Sequence, residues 1–173
     1  MAHQLEPAYF GKYRGTVANP MDPLGMGRIQ VLVPDVLGSN SMAWAMPCTP
    51  YGGAGLGWFA VPAEGAKVWV EFERGDPDYP IWSGCFWGQG ESPAGLDPTA
   101  VLKRILKTDT VELSIDDNPA LPGLSLTARV GGIAGEVNVE IGMAGLKIAC
   151  AGNTLEMGAD GVSINGTNLK VLK

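Results

Sequence analysis

The sequence predicts an all-β protein, with a small barrel followed by a long ribbon of short strands. Three observations predict it. The 173 residues include 25 glycines and 13 prolines, too many chain punctuators for a helical bundle and suited to short strands joined by frequent turns. Apolar residues alternate with a period of two rather than 3.6 in the stretches between those punctuators. From Ile141 onward, apolar pairs separated by two recur every seven residues. A hydrophobic content of 46% with 17% charged residues argues against intrinsic disorder. No run approaches the ~20 apolar residues that span a bilayer as a helix, and Met-Ala-His-Gln lacks the basic start and apolar core of a secretory signal.

The first half reads as five or six strands. Phe10–Val17 is the first, Gly27–Val33 the second, closed by Pro34, and Ala43–Cys48 a short third. Trp58–Val61 is a fourth, ended by Pro62. Lys67–Glu73 sets Val68, Val70 and Phe72 against Trp69, Glu71 and Glu73. Ile81–Trp87 closes the set. Between the last two, Gly75-Asp76-Pro77-Asp78-Tyr79-Pro80 presets a tight reversal, because Gly admits positive φ and Pro fixes its own. Short strands with Gly/Pro-rich connections point to a small closed or partly closed barrel.

Domain limits follow from these punctuators: a tail over 1–8, the barrel over 9–88, a linker over 89–102 and the ribbon over 103–173. Within and beyond the linker, Thr99–Lys107 fits either a short Thr-capped helix or an extended segment. Alternation resumes at Val111, Leu113 and Ile115 and stops at Asp116-Asp117-Asn118-Pro119. Leu124, Leu126 and Ala128 share one side, as do Val137, Val139 and Ile141.

The seven-residue repeat comprises Ile141/Met143, Ile148/Cys150, Leu155/Met157, Val162/Ile164 and Leu169/Val171. Residues two apart fall on opposite sides of a helix but on one face of a strand, and glycine between the pairs would ruin a coiled coil. The repeat is therefore strand and turn, a β-solenoid or β-prism. Strands this short, with a single apolar face, need a cover that no other segment supplies. Identical ribbons winding around a shared axis would bury the face and protect the edges. Three ribbons do this where two leave a flat sandwich with open edges, so an intertwined trimer is expected, with those ten residues as its core.

Little in the sequence supports catalysis. His3 is the one histidine, in an expected tail, with no partner pattern for a triad. Glu71 and Glu73 share a strand face beside Arg74, which reads as a solvated edge. Asp116-Asp117-Asn118-Pro119 is too poor in regularly spaced oxygens for a calcium loop. Gly52-Gly53-Ala54-Gly55-Leu56-Gly57 precedes an expected strand, so no helix terminus awaits a phosphate. No cofactor or metal is expected. Cys48, Cys85 and Cys150 fit no ligand spacing and read as buried reduced thiols, with an intermolecular disulfide as the alternative; such thiols suit assembly in a reducing cytoplasm. Net charge is −6, and residues 1–98 hold 10 acidic against 5 basic groups, so nucleic acid is not an expected partner. The aromatics Trp58, Phe59, Trp69, Phe72, Trp82, Phe86 and Trp87 are expected in the barrel core or on a protein-docking surface, with Gly84–Gly88 as one place for the latter.

Tyr9-Phe10-Gly11-Lys12-Tyr13-Arg14-Gly15-Thr16-Val17, Asp22-Pro23 and Gly27-Arg28-Ile29-Gln30-Val31-Leu32-Val33-Pro34 resemble the OB-fold domain of contractile-tail spikes. That family is the phage baseplate assembly protein V group, related to the VgrG spikes of type VI secretion. The likeness continues through Trp44-Ala45, Pro47, Pro50-Tyr51, Gly55-Leu56-Gly57-Trp58-Phe59, Pro62, Gly65 and Val68–Pro80 to Trp82-Ser83-Gly84. The linker, Lys107-Thr108 to Asp116-Asp117, and Ile164-Asn165-Gly166-Thr167-Asn168-Leu169 resemble the β-helical shaft of the same family.

The resemblance implies an OB-fold barrel followed by an intertwined trimeric β-helix or β-prism shaft. It implies a homotrimeric central spike, docked by its barrel on the tail hub and aimed at the target envelope, which it meets transiently. Some relatives place a lysozyme domain between barrel and shaft, where this chain has a short linker, so no enzyme is expected. Relatives of the VgrG type begin with a hub module, so a separate hub protein is expected here. Certain spikes bind iron at the tip through His-x-His. Asn168-Leu169-Lys170-Val171-Leu172-Lys173 has no histidine, and a tip protein of the PAAR type is the expected cap. The expected location is a virion tail baseplate or injection-system particle, assembled in the bacterial cytoplasm. A phage tail, a tailocin and an extracellular injection system all fit. The competing reading is a soluble OB-fold module that binds single-stranded nucleic acid or protein and carries a β-solenoid oligomerisation tail.

Overall fold

A computed structural model describes residues 8–131, 135–166 and 168–172. His3 and most of the expected tail lie outside them. The chain forms two compact units that divide between Gln89 and Gly90. Both are built of β-strands.

The first unit contains β1 (Tyr13–Asn19), β2 (Ile29–Leu32), the one-turn helix α1 (Pro34–Leu37), β3 (Met42–Pro47), β4 (Gly52–Gly53), β5 (Leu56–Gly57), β6 (Lys67–Phe72) and β7 (Pro80–Cys85). Five of these close a barrel in the order β1-β2-β3-β7-β6. All neighbours are antiparallel except β3 and β7, which run parallel through Met46↔Ile81 and Pro47↔Trp82. Alternation sets the interior: Val68, Val70 and Phe72 of β6 are buried, while Trp69 and Glu71 are only half-buried. With Val17, Ile29, Val31, Val33 and Ala45 they form the core. Gly15 is required at its place in β1, because a Cβ there would lie 2.9 Å from Val70 Cγ2 and 3.1 Å from the Leu32 carbonyl.

The barrel differs from the sequence reading in four places. Its core is aliphatic: of the seven aromatics only Phe72 is buried, and Trp82 is half-buried with Nε1 donating to the Gly27 carbonyl (3.2 Å). Trp58–Val61 is not a strand. Instead β4 and β5 form a small hairpin (Gly52↔Gly57, Gly53↔Leu56), and Trp58 N–H donates to Tyr51 O (2.9 Å). Pro34 does more than end β2, since it opens α1, where its fixed φ suits a first helical position. Cys48 and Cys85 are exposed and Cys150 is half-buried, all three as free thiols. An apolar sequence context did not translate into burial, because Cys48 follows the last residue of β3 and Cys85 is the last residue of β7.

The second unit opens with a 3-10 turn (Ala100–Leu102). It continues as β8 (Lys103–Lys107), β9 (Val111–Asp116), β10 (Gly123–Ala128), β11 (Val137–Gly142), β12 (Gly145–Cys150), β13 (Asn153–Gly158), β14 (Gly161–Ile164) and β15 (Leu169–Leu172). Thr99–Lys107 is thus mostly extended. The eight strands form one antiparallel meander in sequence order.

Candidate functional site

The register of the meander determines which side chains lie together. Ile115↔Leu124, Leu124↔Ile141, Ile141↔Leu146, Leu146↔Met157, Met157↔Val162 and Val162↔Val171 align one apolar row across β9–β15. A second row on the same face runs Leu106, Leu113, Leu126, Val139, Ile148, Leu155, Ile164 and Leu169. Cys150 joins that face two residues beyond Ile148. Among the described residues of the unit, none covers it. Among the described residues the fully buried hydrophobics all belong to the barrel, while Ile141 remains 52% and Val171 59% exposed.

Of the ten expected core residues, the sheet brings all but Met143 onto this face. Met143 sits in the turn between β11 and β12, 77% exposed, and Leu146 takes the place beside Ile141. The cause is geometric. A two-residue turn between Gly142 and Gly145 reverses the chain, so equal spacing along the sequence does not mean equal depth in the sheet. Strand starts recur at Gly145, Asn153, Gly161 and Leu169, one strand and one turn apart. The signal for Leu146 was the glycine on each side of Met143-Ala144.

The opposite face is polar. Glu112, Ser114, Ser125, Thr127, Asn138, Glu140, Lys147, Glu156 and Ser163 align there, with ion pairs Lys107–Glu112 (2.6 Å) and Lys147–Glu156 (3.3 Å). Asn165 ties neighbouring turns together: its Oδ1 accepts from Thr154 N–H (2.7 Å) and its Nδ2 donates to Asn153 Oδ1 (2.9 Å). At the start of the unit the Asp97 carboxylate accepts from Thr99 N–H and Oγ1 (2.8 Å each) and from the Lys103 ammonium. The Lys103 hydrogen bond, then those from Thr99, hold the Asp97 carboxyl down at about 2.

The described residues weighed for chemistry take structural roles. Glu71 pairs with Lys12 (3.2 Å), Glu73 begins a 3-10 turn, and Asp116 caps Asn118 N–H (2.9 Å). Among the described residues no group of His, Cys, Asp and Glu is placed to hold a metal. Trp69 and Phe86 stack on each other with ring centroids 4.7 Å apart, and Arg14 lies over both. Trp58, Phe59 and Trp87 are exposed.

Residues 13–87 match the family model of the type VI secretion system/phage-baseplate injector OB domain. The barrel is similar to that domain. Its five closed strands are OB-like, and the chain is VgrG-like in sequence. Over 113 residues it is 31% identical to the actin cross-linking toxin VgrG1 of Vibrio cholerae serotype O1, covering 60% of this chain and 10% of that protein. Over 86 residues it is 33% identical to the type VI secretion system spike protein VgrG5 of Pseudomonas aeruginosa, covering 45% of this chain and 11% of that protein. The chain therefore spans about a tenth of the length of these curated relatives. What is matched is a structural OB domain of the baseplate and spike type.

Proposed function

We propose that this protein is the central spike of a contractile tail or injection-system baseplate, working as a homotrimer. One observation carries the reading: an apolar face crosses eight consecutive strands whose backbones already pair within the chain, yet no side chain on it is fully buried. Apolar area of that extent left in water would be an association site, because each fully buried Val, Leu or Ile is worth roughly 1.5–3 kcal/mol. Three copies wound around one axis, apolar faces inward and polar faces outward, convert three half-finished cores into one β-prism. The injector OB barrel supports the rest of the reading. The barrel docks on the tail hub, the prism projects toward the target envelope, and a PAAR-type tip protein caps it.

The mechanism is mechanical. Contraction drives the assembly forward, and a continuous ladder of hydrogen bonds around an interlocked core transmits that force without unravelling one chain at a time. Assembly takes place in the bacterial cytoplasm and the mature protein resides in the particle. Light scattering on the purified chain tests the proposal: three times the 18.1 kDa chain mass is expected, and a stable monomer overturns it. Sheath, tube and hub genes beside its own would identify the machine.

A further inference from the structure

The end of the barrel from which the chain leaves carries an apolar edge, made by the loop between β1 and β2 and by the β4–β5 arm. β1 ends there, β2 begins there, and β3 arrives there (Ile29↔Ala45, Asn19↔Gln30). The β4–β5 arm rises from the same end, and β7 exits there with Phe86 N–H donating to Lys67 O (3.1 Å). From the start of β3 at Met42 through the arm to Ala63 there is no Asp, Glu, Lys or Arg, and the next charges are Glu64 and Lys67 at the entry to β6. The loop between β1 and β2 has one charge before Arg28, on Asp22, and that charge is internally consumed. The Asp22 carboxylate accepts from the N–H groups of Leu24 (3.0 Å), Met26 (2.8 Å) and Arg28 (3.2 Å) and from Nε and Nη2 of Arg28 (3.1 and 2.7 Å). The knot holds Met21, Leu24 and Met26 in a fixed loop yet in solvent, Leu24 at 65% exposure. Leu56, Trp58 and Phe59 of the arm are exposed as well, Phe59 at 79%. Loop and arm adjoin at Gly27, where a Cβ would come within 3.4 Å of the Phe59 ring.

We infer that this barrel end is a contact between copies of the chain, loop of one barrel against arm of the next; the inference rests on the trimer proposed above. Two features favour a second copy over a different protein. Members of a closed three-fold ring each present two different surfaces, and loop and arm are two adjacent apolar ones. Identical copies repel wherever they bring like charges together, and here the arm carries no charge while Asp22 and Arg28 of the loop pair with each other (2.7 Å). The acidic residues Glu73, Asp76 and Asp78 lie at the opposite end, where Tyr9 N–H donates to Gly75 O (2.8 Å) and the N-terminal segment enters. A loop fixed before association also lowers the ordering cost of the contact.

Hydroxyl-radical footprinting of the full-length protein, read by mass spectrometry alongside its light-scattering mass, tests the inference. Oxidation of Met21, Met26, Trp58 and Phe59 should fall several-fold in the trimer relative to a Val162→Asp monomer, while exposed Tyr79 at the opposite end is unchanged. Phe59→Glu should keep the threefold mass, held by the ribbon, yet restore oxidation of Met26 and Trp58 to the monomer level. A wild-type trimer in which these residues oxidise as fast as in the monomer overturns the contact, leaving that end for the hub or another partner while the trimer stands. A wild-type monomer overturns the trimer itself, and the contact with it.

Discussion

The two units use the same alternating code and reach opposite outcomes. The barrel curls its sheet until the inward residues meet, so Val17, Ile29, Val31, Val68 and Val70 are essentially excluded from water within one chain. The meander has the same alternation on more strands, and among the described residues no other element covers its Leu, Ile and Val rows. The difference lies in closure. β6 returns to pair with β1 and completes a ring, whereas β8 and β15 end the eight-stranded sheet unpaired with each other. A closed sheet covers its own apolar face; an open one exports the task to other molecules.

The most severe way to break that contrast is Val162→Asp. It places a carboxylate on the open face at each copy, and three such groups near one axis would remain buried and unpaired, which is prohibitive on the scale of ~3–5 kcal/mol for one uncompensated buried charge. The expected result is loss of the trimer by light scattering with the barrel still folded. A variant that remains a trimer would show that Val162 does not face the axis. Ile29→Ala is the converse. It removes fully buried atoms from the closed core, and a barrel stability loss of about 2–5 kcal/mol is expected, read as a lower barrel melting transition with the threefold mass retained. If both variants disturbed both properties, the two units would not be independent folding bodies.

Both apolar faces were legible from alternation alone, since Val68, Val70 and Phe72 were assigned one side of a strand and are buried. The aromatics, open in sequence between core and docking surface, are sorted by phase. Trp69 falls between two inward valines and so must point outward, whatever its size. In the ribbon, nine of the ten residues picked out by spacing share one sheet face, and Met143 lies in a turn. Met143 has the required sequence spacing, but a count along the chain is blind to the reversal at a hairpin, and Leu146 enters the row only once Ile141↔Leu146 is known. The loop knot at Asp22 was not legible at all. Its five hydrogen bonds depend on three backbone N–H groups and a guanidinium converging on one carboxylate, which no periodicity encodes.

The smallest expected effect concerns the start of the open sheet. Asp97 is held to a folded-state value of about 2, below the ordinary carboxylate, so its contribution to stability is fully present above roughly pH 4 and is lost as pH falls through the folded value. Asp97 and Lys103 remain partly in water, at 30% and 27% side-chain exposure, and solvent screens the pair, which keeps the contribution modest. Asp97→Asn should therefore leave the mass and the barrel transition unchanged, and should flatten the acid limb of the ribbon's stability between about pH 4 and pH 2. Carboxyl titration followed by NMR checks the cause directly. An Asp97 that titrates near an ordinary carboxylate would mean that Thr99 and Lys103 do not hold it in solution, and that β8 starts without a clamp.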